Sequence, residues 1–267
     1  FMKKFWGFLL VIVLMTSCGE YQSLLKSNDY NLVYKKAIEY YNKGDYQRAM
    51  NLLDGVRSVF VGQAKAQNIA YYRAFCSYNM KDYQIASDLF KQFIQTYPES
   101  SFAEECLYMM GFCDYKASPK PRLDQQVTEK AIREFQLYLS RYPYSMRKDK
   151  VNTYMDEMRD KLSYKAYLSA KNYYLREHYK AAVISLQNCL KDYPGSKYRE
   201  EIMYMLFVSK YQMAVNSVED KKVERYNNAR EEYYYFADEY PNSRYAADVK
   251  KMYEDIEAYL ENYKFED

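Results

Sequence analysis

Apolar residues recur along the chain with helical spacing, in pairs of segments separated by short polar turns. In residues 66–100, one apolar helical stretch runs into the turn "MKDY" and a second stretch follows it. The turns "KGDY" at 43–46 and "REHY" at 176–179 divide two further segments in the same way. Because apolar residues three and four apart share one face of a helix, this pattern predicts a series of helical hairpins.

Small residues mark the faces on which the two helices of a hairpin meet. One precedes each turn: Ala37, Ala74, Gly111 and Ala170. After the turn, an alanine is followed four residues later by a large apolar residue: Ala49 and Leu53, Ala86 and Phe90, Ala182 and Leu186. Small side chains let two helices approach closely, and large ones fill the adjacent space, so we expect these residues to be buried.

The phrase Tyr-Pro-x-Ser occurs four times, as "YPES" at 97–100, "YPYS" at 142–145, "YPGS" at 193–196 and "YPNS" at 240–243. Proline cannot continue a helix, and serine is a favoured N-cap of the next one. We therefore expect each phrase to join two hairpins, with the residue at x facing solvent. The first hairpin ends at "SVFVGQAK" without the phrase, so its junction should be the most irregular.

This pattern resembles the tetratricopeptide repeat, a helix–turn–helix unit of 34 residues. The resemblance predicts an all-α fold, a right-handed α-solenoid of about five such repeats that begin near residues 30, 67, 104, 163 and 201. Insertions are expected at 117–129 and 215–224, and a capping helix at 246–263. A coiled coil is disfavoured, because the turns are frequent and no heptad pattern is sustained.

The N-terminal residues have the pattern of an export signal. Lys3 and Lys4 precede an apolar run, and "LMTSC" then resembles a bacterial lipobox. We predict a signal peptide at 1–17, removed on maturation, and a palmitate-type lipid on Cys18; an ordinary signal with a chance cysteine is the alternative. The predicted parts are then a lipidated linker at 18–29, repeats one to three at 30–143, and repeats four and five with the capping helix at 144–267.

Composition and motifs argue against several functions. The chain has 35 Tyr and 13 Phe but only 7 Gly and 6 Pro, which favours packed helices. Its formal net charge of +3 gives no reason to expect nucleic acid as a partner. Phosphate-loop, metalloprotease and hydrolase motifs are absent from the sequence. One histidine, His178, and four cysteines in apolar stretches favour neither a metal site nor a catalytic site, so we expect no cofactor and no enzyme activity.

Aromatic and aliphatic residues form a second stripe on the first helix of repeats one to three. This stripe, the aromatic ladder, consists of Tyr34, Ile38, Tyr41, Tyr71, Phe75, Tyr78, Tyr108, Phe112 and Tyr115, with equivalent members 37 residues apart. It predicts either a groove for an extended aromatic peptide or rings that pack between repeats. Repeat four keeps Tyr167 and Tyr174. In repeat five the equivalent residues are predicted to be Met205, Ser209 and Gln212, so we expect the ladder to fade toward the C-terminus.

Longer stretches resemble the BamD family of the outer-membrane β-barrel assembly machinery. They are "YYNKGDYQRAMNLLD", "ECLYMMGFCDYKASP" and "LSYKAYLSAKNYYLREHYKAAVISLQNCLKDYPGS", in an array that spans nearly all of 18–243. The resemblance implies a lipoprotein on the periplasmic face of the outer membrane. It also implies binding of the C-terminal repeats to the POTRA region of BamA, contacts with other subunits of the machinery, and binding of unfolded outer-membrane proteins by the N-terminal repeats. A periplasmic tetratricopeptide adaptor in another envelope process, such as cell-wall synthesis, is the alternative.

Overall fold

A computed structural model describes residues 19–263, which form helices joined by short turns and contain no strand. The helices are α1 (Tyr30–Asn42), α2 (Tyr46–Val56), α3 (Ala64–Asn79), α4 (Tyr83–Thr96), α5 (Ala103–Ala117), α6 (Gln126–Arg141), α7 (Lys148–Leu175), α8 (Tyr179–Asp192), α9 (Arg199–Val215), α10 (Glu219–Glu239) and α11 (Ala246–Tyr263). Successive helices form five hairpins, followed by α11. The predicted all-α repeat fold and the predicted final helix are confirmed.

The turns inside three hairpins share one backbone conformation. Gly44, Lys81 and Glu177 have φ of 81°, 68° and 59°, the left-handed region that commonly ends a helix. In each turn the next residue donates its N–H to a carbonyl five residues back, at 3.0 Å. This hydrogen bond closes the end of the first helix, and the second helix starts two residues after the left-handed residue. The short turn therefore makes the two helices of each hairpin antiparallel.

The small residues lie where the sequence placed them. The alanines of the predicted packing faces and their large partners are fully buried: Ala37, Ala49, Leu53, Ala74, Ala86, Phe90, Ala170, Ala182 and Leu186. Gly111 shows why the face must be small, because a Cβ atom there would lie 2.9 Å from the ring of Phe135 on the paired helix. The close approach of α5 and α6 thus depends on glycine at this position.

The four Tyr-Pro-x-Ser junctions, three between hairpins and one before α11, have nearly the same geometry. The Tyr of each Tyr-Pro-x-Ser phrase ends a helix with φ between −127° and −133° and ψ between 60° and 66°. Its carbonyl accepts the N–H of the Ser three residues later, and the Ser Oγ accepts the N–H two residues further on. The residue at x is exposed in all four phrases, as predicted.

The predicted role of the serine was wrong in one detail. The next helix begins three residues after the serine, so the serine closes the turn that precedes the helix and is not its N-cap. The junction without the phrase differs from the others, as expected. Residues 57–63 form consecutive turns there, with Gly62 at φ 78°.

Two insertions differ from their predicted form. Residues 118–125 separate α5 from α6, so the insertion at 117–129 is partly helical. Only residues 216–218 lie between α9 and α10; of the predicted insertion at 215–224, residue 215 ends α9 and residues 219–224 lengthen α10 to 21 residues. Helix formation satisfies the backbone hydrogen bonds of these polar residues, which a long loop would leave to solvent.

The chain contains two compact units, which divide between Met158 and Arg159 within α7. Two hydrophobic clusters form the core of the first unit, and two others form that of the second. The segment at 19–25, part of the predicted linker, is helical, and its Tyr21 and Leu24 are buried against the first hairpin. Within residues 19–263, no helix combines the length and apolar character needed to cross a bilayer.

Candidate peptide-binding surface

The nine ladder residues lie on α1, α3 and α5, the first helices of the first three hairpins. Eight are half-buried, and Tyr108 is buried with 6% of its surface exposed. Each half-buried ring therefore has one side in the core and a smaller part that remains accessible. This exposure is compatible with both of the interpretations that the sequence left open.

The ladder residues belong to two hydrophobic clusters, which Tyr72 links through ring contacts with Tyr41 and Tyr71. Tyr34 and Tyr41 pack in the first hairpin's cluster, near Phe60 at 6.1 Å and Tyr72 at 4.9 Å between ring centroids. The six members on α3 and α5 form one continuous row. Its successive centroid distances are 4.5 Å (Tyr71–Phe75), 6.3 Å (Phe75–Tyr78), 6.2 Å (Tyr78–Phe112), 5.6 Å (Phe112–Tyr108) and 5.9 Å (Phe112–Tyr115).

Tyr154 on α7 continues this row, although the sequence analysis missed it. Its ring stacks 4.5 Å from Tyr115 and lies 5.5 Å from Phe112. The residue belongs to the N-terminal part of a long helix, outside the repeat that the 37-residue spacing defines. Only the packing of that helix on the third hairpin brings it to the row.

Burial raises the pKa of several ladder hydroxyls. It raises the pKa of Tyr71 to about 12, with a smaller effect from the charge of Glu105. Burial and a hydrogen bond to Glu157 raise the pKa of Tyr115 to about 12. The Tyr115 hydroxyl donates that bond to the Glu157 carboxylate. At neutral pH these phenols are neutral, as an unperturbed tyrosine also is, and each combines an apolar ring with a hydrogen-bonding group.

The residue two places after each junction serine covers the first ring of the preceding first helix. Phe102 lies 4.6 Å from Tyr71 in the first unit. In the second unit, Tyr198 stacks 4.4 Å from Tyr167, and Tyr245 stacks 4.0 Å from Tyr204. At the third hairpin the covering group is the guanidinium of Arg147, 4.5 Å from the centroid of the Tyr108 ring.

The expected fading of the ladder in repeat five was wrong. Met205 and Ser209 are buried in the second unit, whereas Tyr204, Val208 and Tyr211 take the ladder positions. The 37-residue spacing already contained this signal, since Tyr167 plus 37 is Tyr204 and Tyr174 plus 37 is Tyr211. The predicted ladder positions of repeat five were therefore each one residue too far toward the C-terminus.

A buried charged cluster lies beside the row, on α4, α5 and α6. Asp114, 1% exposed, accepts a hydrogen bond from Ser87 at 3.0 Å and pairs with Lys130 at 2.9 Å. Glu134 lies 3.7 Å from Lys130, and its Oε2 has no hydrogen-bond partner. Burial, with the neighbouring Asp114 carboxylate, raises the pKa of Glu134 to about 8. Sequence analysis did not find this cluster, because its members are up to 47 residues apart.

The residues considered for other chemistry are dispersed. The four described cysteines are free and buried, as predicted, and burial raises the pKa of Cys76 and Cys106 to about 12. His178 is exposed in the turn before α8. Between residues 19 and 263, the His, Cys, Asp and Glu side chains form no group of three that could hold a metal.

Comparison with known families assigns the chain to a class of envelope protein. A sequence model described as YfiO, outer membrane lipoprotein, matches residues 26–201 and residues 165–266. The chain belongs to the YfiO family of outer membrane lipoproteins. No curated protein matches its sequence. The predicted lipidation site, Cys18, and the predicted signal peptide lie outside the described residues.

Solved structures show only distant similarity. A TPR repeats protein from Bacteroides fragilis is 13% identical, with a TM-score of 0.42, over 87% of this chain and 99% of that one. The TPR2AB domain of yeast Sti1, in complex with pHSP90, is 13% identical, with a TM-score of 0.38, over 85% and 98%. Both TM-scores are low, and we infer nothing about this YfiO-family chain from them.

Proposed function

We propose that this chain is a non-enzymatic scaffold lipoprotein of the outer-membrane β-barrel assembly machinery. In this proposal Cys18 carries the lipid anchor on the periplasmic face, and the helical repeats bind the POTRA region of BamA and unfolded outer-membrane proteins. The observation that carries it is the match of the outer membrane lipoprotein family over residues 26–266. The resemblance of the repeats to BamD supplies the more specific role.

The aromatic row is the proposed contact for unfolded outer-membrane proteins. In the BamD family, which the repeats resemble, these client proteins have aromatic-rich C-terminal segments. Its rings support one another from Tyr71 to Tyr154, so binding would immobilise few additional side chains. Apolar ring edges and phenolic hydroxyls suit a peptide that presents both aromatic side chains and backbone polar groups. Tyr34, Ile38 and Tyr41 would extend this contact onto the first hairpin.

A pair of matched variants tests the peptide contact. Tyr115 and Tyr211 are both half-buried and occupy the same ladder position, and each donates a hydrogen bond to a carboxylate, Glu157 and Asp255 respectively. Tyr115→Ala should weaken binding of an aromatic-rich C-terminal peptide about tenfold, as for an interface aromatic worth about 1.4 kcal/mol. Tyr211→Ala should lower stability to a similar extent without changing the affinity.

Fluorescence anisotropy with a labelled peptide would give the affinity, and thermal unfolding would give the stability of each variant. A peptide with its aromatic residues replaced by serine is the ligand control. If Tyr115→Ala lowered stability but left the affinity unchanged, the row would serve packing alone. Tyr108 is unsuitable for this test, because truncation of a buried ring chiefly reports on stability.

The partner proposal is tested by isolating the anchored protein from envelopes. Recovery of the POTRA-containing barrel subunit would support the assembly-machinery role. Recovery of cell-wall synthases without that subunit would instead support the adaptor role in another envelope process. The same preparations after the Tyr115→Ala change should still contain the barrel subunit, because the proposed contact with BamA lies in the C-terminal repeats.

A further inference from the structure

The four Tyr-Pro-x-Ser junctions act as internal controls for one another, because their backbones are nearly superimposable in dihedral angle. At the "YPYS" junction Tyr142 has φ −127° and ψ 66°, and at the "YPGS" junction Tyr193 has φ −133° and ψ 64°. The serine hydrogen bonds are also the same at both. Differences in side chains at the other junction positions are therefore not required by the turn itself.

Two outward positions of the "YPYS" junction carry large apolar side chains. They are the residue at x and the residue directly after the serine, Tyr144 and Met146, which are 96% and 103% exposed. At the other three junctions both positions are exposed too, but carry small or polar residues: Glu99 and Ser101, Gly195 and Lys197, Asn242 and Arg244. The fold therefore accepts polar residues where this junction exposes two apolar ones.

At the inward position of the same junction, two residues after the serine, a charged residue replaces an aromatic one. An aromatic ring covers the ladder at the other three junctions, whereas the "YPYS" junction places Arg147 over Tyr108 and pairs it with Glu105. A cation thus lies inward and apolar groups lie outward. Since Arg147 already covers the Tyr108 ring, Tyr144 and Met146 are not needed to complete the packing.

Basic residues surround the exposed pair. Residues 141–150 contain four bases, Arg141, Arg147, Lys148 and Lys150, and a single acid, Asp149. Of these, Arg141, Lys148 and Lys150 are exposed, as is Asp149, which leaves an exposed excess of two positive charges. A tip with two projecting apolar side chains and exposed cations on both sides is complementary to a surface that is anionic outside and apolar beneath.

We propose that the tip formed by Tyr144 and Met146 inserts into the surface of a bilayer that contains anionic phospholipid. The tyrosine ring suits the headgroup level, with the methionine deeper and the cations at the phosphates. The bilayer is favoured over a protein partner because membership of an outer membrane lipoprotein family places the chain at a membrane. The proposal is independent of the assembly-machinery role, because it concerns lipid contact alone.

A fluorescent label at Met146→Cys tests the insertion in the full, lipid-anchored chain. The four described cysteines are buried, so the new thiol can be labelled selectively. The protein is reconstituted into vesicles of phosphatidylethanolamine and phosphatidylglycerol, with or without brominated lipid. We expect a blue-shifted emission that brominated lipid quenches. Lys197→Cys, at the equivalent position of the next junction, is the matched control and should stay unquenched.

Charge dependence gives a second measurement. In the labelled chain, Lys148→Gln should lower the ratio of inserted to free label about fivefold, the effect of about 1 kcal/mol per cation at an anionic surface. Replacement of phosphatidylglycerol by phosphatidylcholine should lower it further. The proposal would be overturned if brominated lipid quenched the label at 146 no more than the label at 197. It would also be overturned if quenching did not depend on the charge of the lipid.

A double variant separates lipid contact from a structural role. Tyr144→Gly with Met146→Lys reproduces the residues of the "YPGSK" junction, so its thermal unfolding midpoint should be unchanged. A lowered midpoint would mean that the two side chains serve the fold. In cells, a photo-crosslinking residue at 144 should capture phospholipid. A discrete protein adduct there would replace the lipid proposal with a protein-docking site.

Discussion

Glu134 offers a direct test of the buried charged cluster, through the change Glu134→Gln. Glu134 is 8% exposed, and a hydrogen bond to Asp114 favours the protonated form of its carboxyl. Burial, with the nearby Asp114, raises its pKa from 4.5 to about 8. The folded state therefore favours the protonated carboxyl, and glutamine reproduces the shape of that form without the ability to ionise.

The sign and size of the effect follow from linkage. A raised carboxyl pKa leaves the stability complete below pH 4.5 and removes it as the pH rises toward 8, because the unfolded chain ionises first. At about 1.36 kcal/mol per pKa unit, the loss by pH 8 has an upper limit of about 5 kcal/mol. Relaxation and water entry reduce such penalties, so we expect Glu134→Gln to be more stable than wild type by about 2–4 kcal/mol at pH 8.

Urea unfolding at pH 4.5, 6 and 8 measures the difference. The two proteins should be within about 1 kcal/mol of each other at pH 4.5, and the variant should gain steadily as the pH rises. Glu99→Gln, a change at an exposed turn position, is the control and should show no such trend. A stability difference that does not depend on pH, or a variant weaker than wild type at pH 8, would refute the reasoning.

Three further predictions concern packing and burial. Gly111→Ala should lower the free energy of unfolding in urea by about 1–3 kcal/mol, because its Cβ would lie 2.9 Å from Phe135. Gly55→Ala in helix α2, whose Cβ would have no neighbour within 4 Å, should raise that free energy by about 0.4–1 kcal/mol. Equal effects of the two changes would contradict the close approach of the helices at Gly111. Lys210→Met should cost about 3–5 kcal/mol by leaving buried Glu232 without its partner at 2.6 Å, and a neutral result would show that the carboxylate finds another partner or water. The four described cysteines should react with a thiol reagent only on unfolding, in contrast to a surface cysteine added at Met146; rapid reaction of the native chain would contradict their burial.

Much of the repeat architecture was predictable because it depends on signals that act over a few residues. Proline cannot continue a helix that has already begun, and the Tyr-Pro-x-Ser phrase closes its turn with hydrogen bonds within six residues. Small residues such as Ala74 and Ala182 identified the packing faces for a similar reason, since a face is a property of one helix. The prediction that the serine is the N-cap was wrong, because no distinct sequence signal marks the extra turn between the serine and the next helix.

The candidate site was only partly predictable. The spacing of 37 residues identified the ladder on α1, α3 and α5. Counted from Tyr167 and Tyr174, the same spacing also identifies Tyr204 and Tyr211. That spacing could not show that Tyr154 joins the row, since this contact depends on where a long helix packs. Nor could it show how far each ring is covered, which decides whether the residue can contact a peptide.

By itself, the sequence determined the helices, their order, the turns that join them and the phrase that separates the hairpins, because each depends on neighbouring residues and on the period of the apolar positions. Only the tertiary structure decided the fate of groups that are distant in sequence. It buried Asp114 and Glu134 around Lys130, covered Tyr108 with Arg147, and left Tyr144 and Met146 in solvent. Burial and pairing arise from contacts between helices, and these set the pKa values and the exposed surface on which function depends.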